Sequence, residues 1–431
     1  MESIWELAQH PSPLAPDIWE QSHPRESAEI ADVRKHMGGA HMTKPWADRI
    51  HSQPMFDILS MVREMELFGN DVKHLEIGDT EGFENLALRG HLVARAKSER
   101  LGYCPSGGEP RLREVVAEML TQDLGRRVEA DQIAIAPANF LILQAMAAIS
   151  QPQSDILLPD PGFPTYQLAA EFLNLDVSTY NTIQQHLGTE ALETTAFAEG
   201  YRPTMVVISN PNNPLGHGAP WSRYDQLLKD AQQVESWLLF DETYVNLCYD
   251  QSMGDPPEVN EERCIRIYSV SKEHAVPSLR IGYCLGPRDV IDVINRFTSL
   301  TVSCLPSFIQ LAVADYLESD HSKSFVRELH EEMKKRFLIL EERLEANGLD
   351  SSLVIRPNAG FYAMIRTPGS RDSAEEMLKM DGVATCPGAG FGSNSAESIR
   401  VSLAGRLEAV VEGIDRLAGA LAARLQLTSR D

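Results

Sequence analysis

Several short apolar runs of this sequence are followed directly by polar side chains that could do chemistry. The amide-rich turn Asn210–Gly216 follows one run, and Asp241 with Tyr244 follows another. Lys272 comes just after a third run, and Arg280 lies eight residues further along. A lysine amine can act as a nucleophile and an arginine fork suits an anion such as phosphate. The set therefore combines a group for covalent chemistry with a group for anion binding.

We predict that these apolar runs are strands of one sheet, because helical periodicity separates several of them. The alternation of strand and helix indicates an α/β lobe with a mostly parallel sheet. Open parallel sheets bind ligands outside the carboxyl ends of their strands, so the polar residues should meet there. The predicted strands are Gln132–Ala136, Asp155–Leu158, Met205–Ser209, Trp237–Phe240, Cys264–Ser269 and Ile281–Leu285.

The C-terminal part of the chain predicts a second, smaller lobe of the α+β type. Helical periodicity runs from about Pro306 to Asn347, and short strands are predicted around Val354, at Phe361–Ile365 and at Ile399–Ser402. A chain of 431 residues also exceeds the roughly 250–300 residues at which a single core stops growing. The predicted divisions are an N-terminal extension (1–45), the N-terminal part of the small lobe (46–85), the large lobe (86–305) and the C-terminal part of the small lobe (306–431).

The composition argues against several classes of function. The formal charge of −23 repels phosphate backbones, so we expect no nucleic-acid partner. No apolar run reaches the roughly 18–20 residues that a membrane helix needs, and the acidic start of the chain does not resemble a targeting peptide. The six cysteines are scattered, without the spacing of a metal site or a disulfide framework. We expect a cytoplasmic protein with reduced thiols and no metal.

Four motifs, taken together, resemble those of the class I and II aminotransferases, the large fold-type I family of pyridoxal-phosphate enzymes. The motifs are SNPNNPLG, LFDETY, YSVSKEHAVPSLRIGY and SIRVSLA. The lysine of Ser-x-Ser-Lys with an arginine eight residues on is a strong signal, and all four motifs in this order are very specific. The resemblance extends from about Leu75 to about Leu417. It implies a mostly parallel sheet of the seven-stranded type, flanked by helices.

The resemblance implies that the chain binds pyridoxal 5′-phosphate. Lys272 matches the lysine that holds the cofactor as a Schiff base and then moves a proton from the substrate Cα. Asp241 matches the carboxylate that pairs with the pyridine nitrogen and keeps the ring able to accept electrons. Asn213 and Tyr244 match the residues that hydrogen-bond the cofactor 3′-oxygen. Lys272, Asp241 and Tyr244 are therefore the predicted catalytic residues.

Further matches concern the phosphate and the ring of the cofactor. Arg280 and Ser269 match phosphate-binding positions, and the amides near Ala138 and Asn139 should present a helix N-terminus to the same group. Ala138 departs from the common pattern, because it offers no hydroxyl; one phosphate hydrogen bond is then missing or supplied elsewhere. Phe163 matches the aromatic residue that stacks on the pyridine ring, and an ordinary core phenylalanine is the alternative.

The resemblance also implies a substrate clamp and a shared active site. Arg400 matches the arginine that binds the substrate α-carboxylate through both branches of its guanidinium, and Gly78 matches a backbone contact at the mouth of the substrate pocket. Tyr103 matches a tyrosine that reaches the phosphate of the neighbouring subunit. We therefore expect a homodimer whose active sites lie at the interface.

Two departures from the family pattern bear on the reaction. The loop Gly78–Phe83, which helps to shape the substrate pocket, lacks the family's usual Gly-Glu-Pro-Asp sequence. His274 stands two residues after Lys272, where the family often has an aromatic residue. It is either a core histidine or a second acid–base group. The identity of the substrate side chain stays open.

Three functions are compatible with the motifs. The first, which we expect, is a pyridoxal-phosphate-dependent aminotransferase acting on an L-α-amino acid. The second is a lyase or cyclase on the same cofactor, in which proton removal by Lys272 leads to β- or γ-elimination or to ring closure. The third is a regulator with a DNA-binding helix-turn-helix, but an extension of about 45 residues without a basic face is too short for that module.

Overall fold

The structure, a computed structural model, describes residues 50–187, 197, 200–249, 253–367 and 373–428. The predicted extension, 1–45, lies outside these residues. The described strands are β1 (Lys73–His74), β2 (Ile133–Ala136), β3 (Asp155–Asp160), β4 (Asp176–Asn181), β5 (Met205–Ser209), β6 (Trp237–Asp241), β7 (Cys264–Ser269), β8 (Gly282–Leu285), β9 (Val354–Ile355), β10 (Tyr362–Arg366), β11 (Val383–Ala384), β12 (Cys386–Pro387) and β13 (Ser398–Ser402).

Helices precede, separate and follow these strands along the chain. Several begin with a proline in the first turn, where its missing N–H costs no hydrogen bond. The described α-helices are α1 (Pro54–Leu67), α2 (Leu86–Ser98), α3 (Pro110–Asp123), α4 (Ala138–Ile149), α5 (Pro164–Leu173), α6 (Thr182–Leu187), α7 (Asp225–Gln233), α8 (Val270–Glu273), α9 (Arg288–Thr301), α10 (Ser307–Leu317), α11 (Asp320–Ala346), α12 (Ser373–Asp381) and α13 (Leu407–Thr428).

A seven-stranded sheet of order β2-β8-β7-β6-β5-β3-β4 carries the large lobe. β8 runs antiparallel to both of its neighbours, and the other neighbouring strands are parallel. The arrangement confirms the predicted α/β fold with a mostly parallel sheet. β5 and β7 have the predicted bounds, because both are buried along their whole length and are mainly apolar.

Helices cover both faces of this sheet. On one face, α4, α5 and α9 share a core with the sheet, in which Leu141 and Ile294 pack against the buried strand residue Val207. On the other face, α3 and α10 pack in a second core, which contains Leu112 and Val313. The strand ends are thereby held rigidly between two layers, which fixes the loops that follow them.

The C-terminal part carries a four-stranded antiparallel sheet of order β12-β13-β10-β9. The helical stretch predicted from Pro306 to Asn347 is divided into α10 and α11. The segment before α2 joins this part: β1 pairs in parallel with β11, and the Ser402 amide donates to the Leu75 carbonyl at 2.7 Å. The loop that follows Leu75 is therefore held beside β13.

Membrane-spanning helices and disulfide bonds are both absent from the described residues. None of their helices has the length and apolar character needed to cross a membrane. None of the six cysteines forms a disulfide bond in the described part of the chain.

Candidate active site

A cavity of about 700 Å³ opens at the carboxyl ends of β5, β6 and β7, whose last residues lie in its wall. This is the edge of the sheet at which the sequence predicts a ligand site. Tyr103 does not line the cavity, and its side chain is 85% exposed. The other predicted site residues all line it: Gly78, Ala138, Asn139, Phe163, Asn213, Asp241, Tyr244, Ser269, Lys272, Arg280 and Arg400.

Lys272 lies in the four-residue helix α8, which follows β7 without a loop. Since β7 is buried along its whole length, the base of this lysine is rigidly placed. The half-buried side chain reaches across the cavity, where Nζ donates to the Gly78 carbonyl at 3.5 Å. The amine is thus accessible from the cavity and positioned to attack a carbonyl carbon.

Asp241 is the buried last residue of β6. Its carboxylate accepts hydrogen bonds from the Tyr166 hydroxyl at 2.5 Å and from the Thr243 amide at 3.1 Å. Burial raises its pKa above the usual value, although these two donors act in the opposite direction. Within the described residues, no Lys, Arg or His side chain forms an ion pair with it. Such a carboxylate suits a cationic partner supplied by a ligand.

Arg400, on β13, is buried in the opposite wall of the cavity. Its two terminal nitrogens donate to Asn213 Oδ1 at 3.0 Å and to the Glu76 carbonyl at 2.7 Å. Its guanidinium carbon lies 4.0 Å from the ring centre of Tyr362 and 4.7 Å from that of Phe391. The buried Nε has no acceptor among the described residues. A guanidinium packed against two rings, with an N–H that has no acceptor, suits a carboxylate ligand.

Asn213 and Tyr244 line the same cavity as Arg400 and Asp241. Because Asn213 Oδ1 faces Arg400, its Nδ2 is left to donate to a ligand. The Tyr244 ring is buried edge-on against Phe361, with 6.1 Å between ring centres. Burial raises the pKa of Tyr244 well above that of an ordinary phenol. This hydroxyl therefore stays protonated and can donate a hydrogen bond.

An anion-binding corner forms at the start of α4. Ala138 and Asn139 begin the helix, so their backbone N–H groups have no acceptor within it. Ser269 and the exposed Arg280 line the same cavity, and an Arg280 NH2 donates to Asn139 Oδ1 at 3.2 Å. Helix amides and a planar guanidinium together suit a phosphate group.

Phe163 lies directly before α5 and lines the cavity. Its ring meets that of Tyr166 edge-on, with 5.9 Å between ring centres, and it also packs against Met55 and Phe391. A residue that is both packed and exposed to the cavity can present a ring face to a flat ligand. The core contacts and a stacking role are therefore compatible.

Three residues in the cavity wall or directly behind it are not individually assigned by the sequence analysis. Tyr166 hydrogen-bonds Asp241, Tyr362 packs on Arg400, and the buried Thr80 hydroxyl lines the cavity without a hydrogen-bond partner among the described residues. Tyr166 follows Phe163 by one helical turn, which is a usable signal. Thr80 lies in the Gly78–Phe83 loop that the sequence analysis assigns to the substrate pocket, whereas nothing in the local sequence distinguishes Tyr362 from core residues.

His274 lies behind the cavity and not in its wall. It is buried, with Nδ1 at 3.2 Å from the Tyr316 hydroxyl and Nε2 at 3.4 Å from a Glu273 carboxylate oxygen. Asn85 donates to the His274 carbonyl at 3.1 Å and to the Tyr316 hydroxyl at 2.9 Å. These contacts support the interpretation of His274 as a core histidine. They also hold the end of α8, the helix that carries Lys272, in place.

The comparison with known proteins decides the family. The family model of class I and II aminotransferases matches residues 71–417, which is well over half of the chain. This chain belongs to that family. Its Lys272, Asp241 and Arg400 all fall within the matched region.

The chain is similar to aminotransferases of Thermococcus litoralis and Pyrococcus abyssi and to a solved structure from Thermus thermophilus. Aromatic-amino-acid aminotransferase 2 of Thermococcus litoralis is 28% identical over 329 residues, covering 73% of this chain and 82% of its own. The aspartate aminotransferase of Pyrococcus abyssi is 27% identical over 330 residues, with the same coverage. The solved aspartate aminotransferase of Thermus thermophilus with maleate superposes with a TM-score of 0.80, over 88% of this chain and 99% of its own, at 24% identity. The last comparison establishes the shared fold.

Proposed function

We propose that this aminotransferase depends on pyridoxal 5′-phosphate, accepts an L-α-amino acid, and uses Lys272 to carry the cofactor and to move the substrate proton. The observation that carries the proposal is the convergence of Lys272, Asp241 and Arg400 on one cavity, from three different strands or strand ends. An amine, a buried carboxylate and a buried guanidinium are the groups that transfer of an amino group requires.

The cavity fits the cofactor in its chemistry. Asp241 is a buried carboxylate whose pKa is raised by desolvation, and a pyridinium N–H would relieve that cost. The phosphate would meet the N-terminal amides of α4 with Ser269 and Arg280. Ala138 supplies an amide but no hydroxyl, so Ser269 is the one side-chain hydroxyl among these predicted phosphate residues.

When bound, pyridoxal phosphate supplies an aldehyde that condenses with amines and a ring that accepts electrons from the substrate Cα. Asp241 holds a proton on the ring nitrogen. Asn213 and Tyr244 donate to the ring oxygen. Arg400, with its unpartnered Nε, would bind the substrate α-carboxylate and so orient the substrate in the cavity. Nζ of Lys272 would hold the cofactor and, once released, would move the proton of the substrate Cα.

The lyase or cyclase alternative shares the first proton transfer and differs afterwards. The relatives named above are aminotransferases, and their names do not favour elimination or ring closure. The identity of the substrate side chain is a separate matter, because the Gly78–Phe83 loop departs from the family pattern. The spectrum experiment below distinguishes transfer from elimination for each amino acid.

We also propose a homodimer with shared active sites. Tyr103 motivates this proposal: it is exposed and lies outside the cavity of its own protomer, as expected of a residue that serves a partner. The division into a small lobe (46–85 with 306–431) and a cofactor-binding lobe (86–305) is supported by the pairing of β1 with β11. A cytoplasmic location accords with six free thiols.

A visible absorbance spectrum tests the function directly. The protein is loaded with pyridoxal phosphate and mixed with single L-amino acids, without any 2-oxo acid. We expect a yellow cofactor band that bleaches as the amino group stays on the cofactor. Release of ammonia without bleaching would instead identify elimination. A protein that never turns yellow would disprove the cofactor assignment.

A further inference from the structure

Tyr362 is a cavity residue whose role the motifs do not assign. It is the first residue of β10 and is buried, yet it lines the cavity. The family motifs SNPNNPLG, LFDETY, YSVSKEHAVPSLRIGY and SIRVSLA do not include it. Its phenol brings an additional acid–base group to the site.

The neighbours of Tyr362 fix its ring and its hydroxyl separately. Arg400 lies over the ring, with its guanidinium carbon 4.0 Å from the ring centre, while the Tyr244 ring stands edge-on, with 6.1 Å between ring centres. The hydroxyl occupies space that only a glycine leaves free: a Cβ on Gly78 would lie 2.1 Å from it. Lys272 donates to the carbonyl of the same Gly78. The phenol is therefore held beside both Tyr244 and Lys272.

The two phenols interact directly. Burial raises the pKa of Tyr362, but the positive charges of Lys272 and Arg400 and a hydrogen bond with Tyr244 outweigh it, so the pKa lies below that of an ordinary phenol. The pKa of Tyr244 is instead raised, first by burial and then by Tyr362. The edge-on contact of the two rings, with 6.1 Å between their centres in the wall of the same cavity, supplies the geometry for this pairing.

We propose that Tyr362 is a positioning residue that forms a hydrogen-bonded pair with Tyr244 and sets how strongly Tyr244 donates to the cofactor ring oxygen. A hydroxyl has one proton to donate. When Tyr244 turns its proton to the ring oxygen, its own oxygen becomes free to accept from Tyr362. A donor that itself accepts a hydrogen bond is a stronger donor. The cofactor part of this inference rests on the proposed function.

The pair can be tested without cofactor. An ultraviolet difference titration of the cofactor-free protein should show one tyrosine that ionises below the others. Tyr362→Phe should remove this ionisation, and Tyr244→Phe should move it to higher pH. Tyr283→Phe is the matched control, since Tyr283 is buried in the core of the large lobe and stacks on Tyr268. The early ionisation should persist in the control; its persistence in Tyr362→Phe would overturn the assignment.

The effect on Tyr244 is tested in the loaded protein, by the pH midpoint at which the visible band changes. Fewer donors to the ring oxygen raise this midpoint. Tyr362→Phe should raise it by roughly one pH unit, the size expected when one hydrogen bond is lost. The Tyr244→Phe and Tyr362→Phe double variant should shift no further than Tyr244→Phe alone.

The outcomes separate the two proposals. An unchanged midpoint in Tyr362→Phe, or additive shifts in the double variant, would show that Tyr362 does not act through Tyr244. A wild-type protein that never binds pyridoxal phosphate would overturn the proposed function and, with it, the cofactor part of this inference. The cofactor-free titration would still decide whether the two phenols are paired.

Discussion

Arg400 combines a fully buried guanidinium with an Nε that lacks an acceptor among the described residues. Replacement by lysine keeps the charge but loses the planar fork, so the α-carboxylate should bind less tightly. We expect Arg400→Lys to raise KM for the amino acid roughly 10- to 100-fold, the value of one charged hydrogen bond. Steady-state kinetics measures this, and an intact cofactor spectrum shows that the site is preserved. An unchanged KM would exclude Arg400 as the clamp.

The ion pairs of His74 should make the stability of the fold depend on pH. Its ring contacts the buried Glu76 at 2.9 Å and Glu66 at 3.0 Å, and these raise its pKa from 6.5 to about 9, with Glu76 the larger cause. Because the folded pKa is raised, the stabilisation is complete below pH 6.5 and is lost as pH rises through about 9. His74→Gln should therefore be less stable than wild type at pH 6 and as stable as wild type above about pH 9. Urea unfolding at both pH values measures the difference in the free energy of unfolding. A pH-independent difference would exclude the ion pairs.

Single residues divide into those that the sequence predicts and those that it does not. Lys272, Asp241 and Arg400 stand in motifs beside buried strands, so their meeting in one cavity could be predicted. Tyr362 could not be assigned, since it acquires its place through contacts with residues far away along the chain, and its local sequence is that of any packed strand. Tyr166 carries only the signal of its spacing from Phe163.

At the scale of elements, the close approach of β8 to α4 depends on Gly282. A Cβ there would lie 2.8 Å from the Tyr268 carbonyl oxygen and 3.0 Å from the Ala138 amide nitrogen, which are backbone atoms. We expect Gly282→Ala to lower the free energy of unfolding by about 1–3 kcal/mol and to weaken cofactor binding, because the start of α4 must shift.

Gly286 is the matched control for this prediction. It follows the same strand, but its added Cβ would meet no atom closer than 3.5 Å. Gly286→Ala should be neutral or slightly stabilising, since it reduces the freedom of the unfolded chain. Urea unfolding of both variants makes the comparison. Equal stability of the two variants would contradict the proposed contact with α4.

Within the seven-stranded sheet, the prediction of strands succeeds where burial is nearly complete and fails where it is partial. β5 and β7 are buried along their length, so their mainly apolar runs define their ends. β4 is an edge strand with polar, half-exposed residues, and the sequence analysis does not predict it. The sequence analysis also predicts α10 and α11 as one helical stretch, because the helical periodicity does not mark the break at Glu318–Ser319.

At the scale of the whole molecule, the exposed Tyr103 predicts complementation between subunits. If Tyr103 serves the partner's cofactor, a mixed dimer of Lys272→Ala and Tyr103→Ala chains contains one site with both native residues. Subunit exchange between the two variants should restore about one quarter of the wild-type sites, because about half of the dimers are mixed. Activity after exchange measures this. A mixture no more active than the average of its parents would place Tyr103 in the site of its own chain or outside any site.

The central claim is that Lys272 carries the cofactor, and a mass measurement tests it most directly. The loaded protein is treated with borohydride, which makes a lysine–cofactor bond permanent, and its peptides are then mapped by mass spectrometry. We predict the added mass on the peptide that contains Lys272, and no added mass on the same peptide of Lys272→Ala. Modification of a different lysine, or no modification after loading with excess pyridoxal phosphate, would contradict the account.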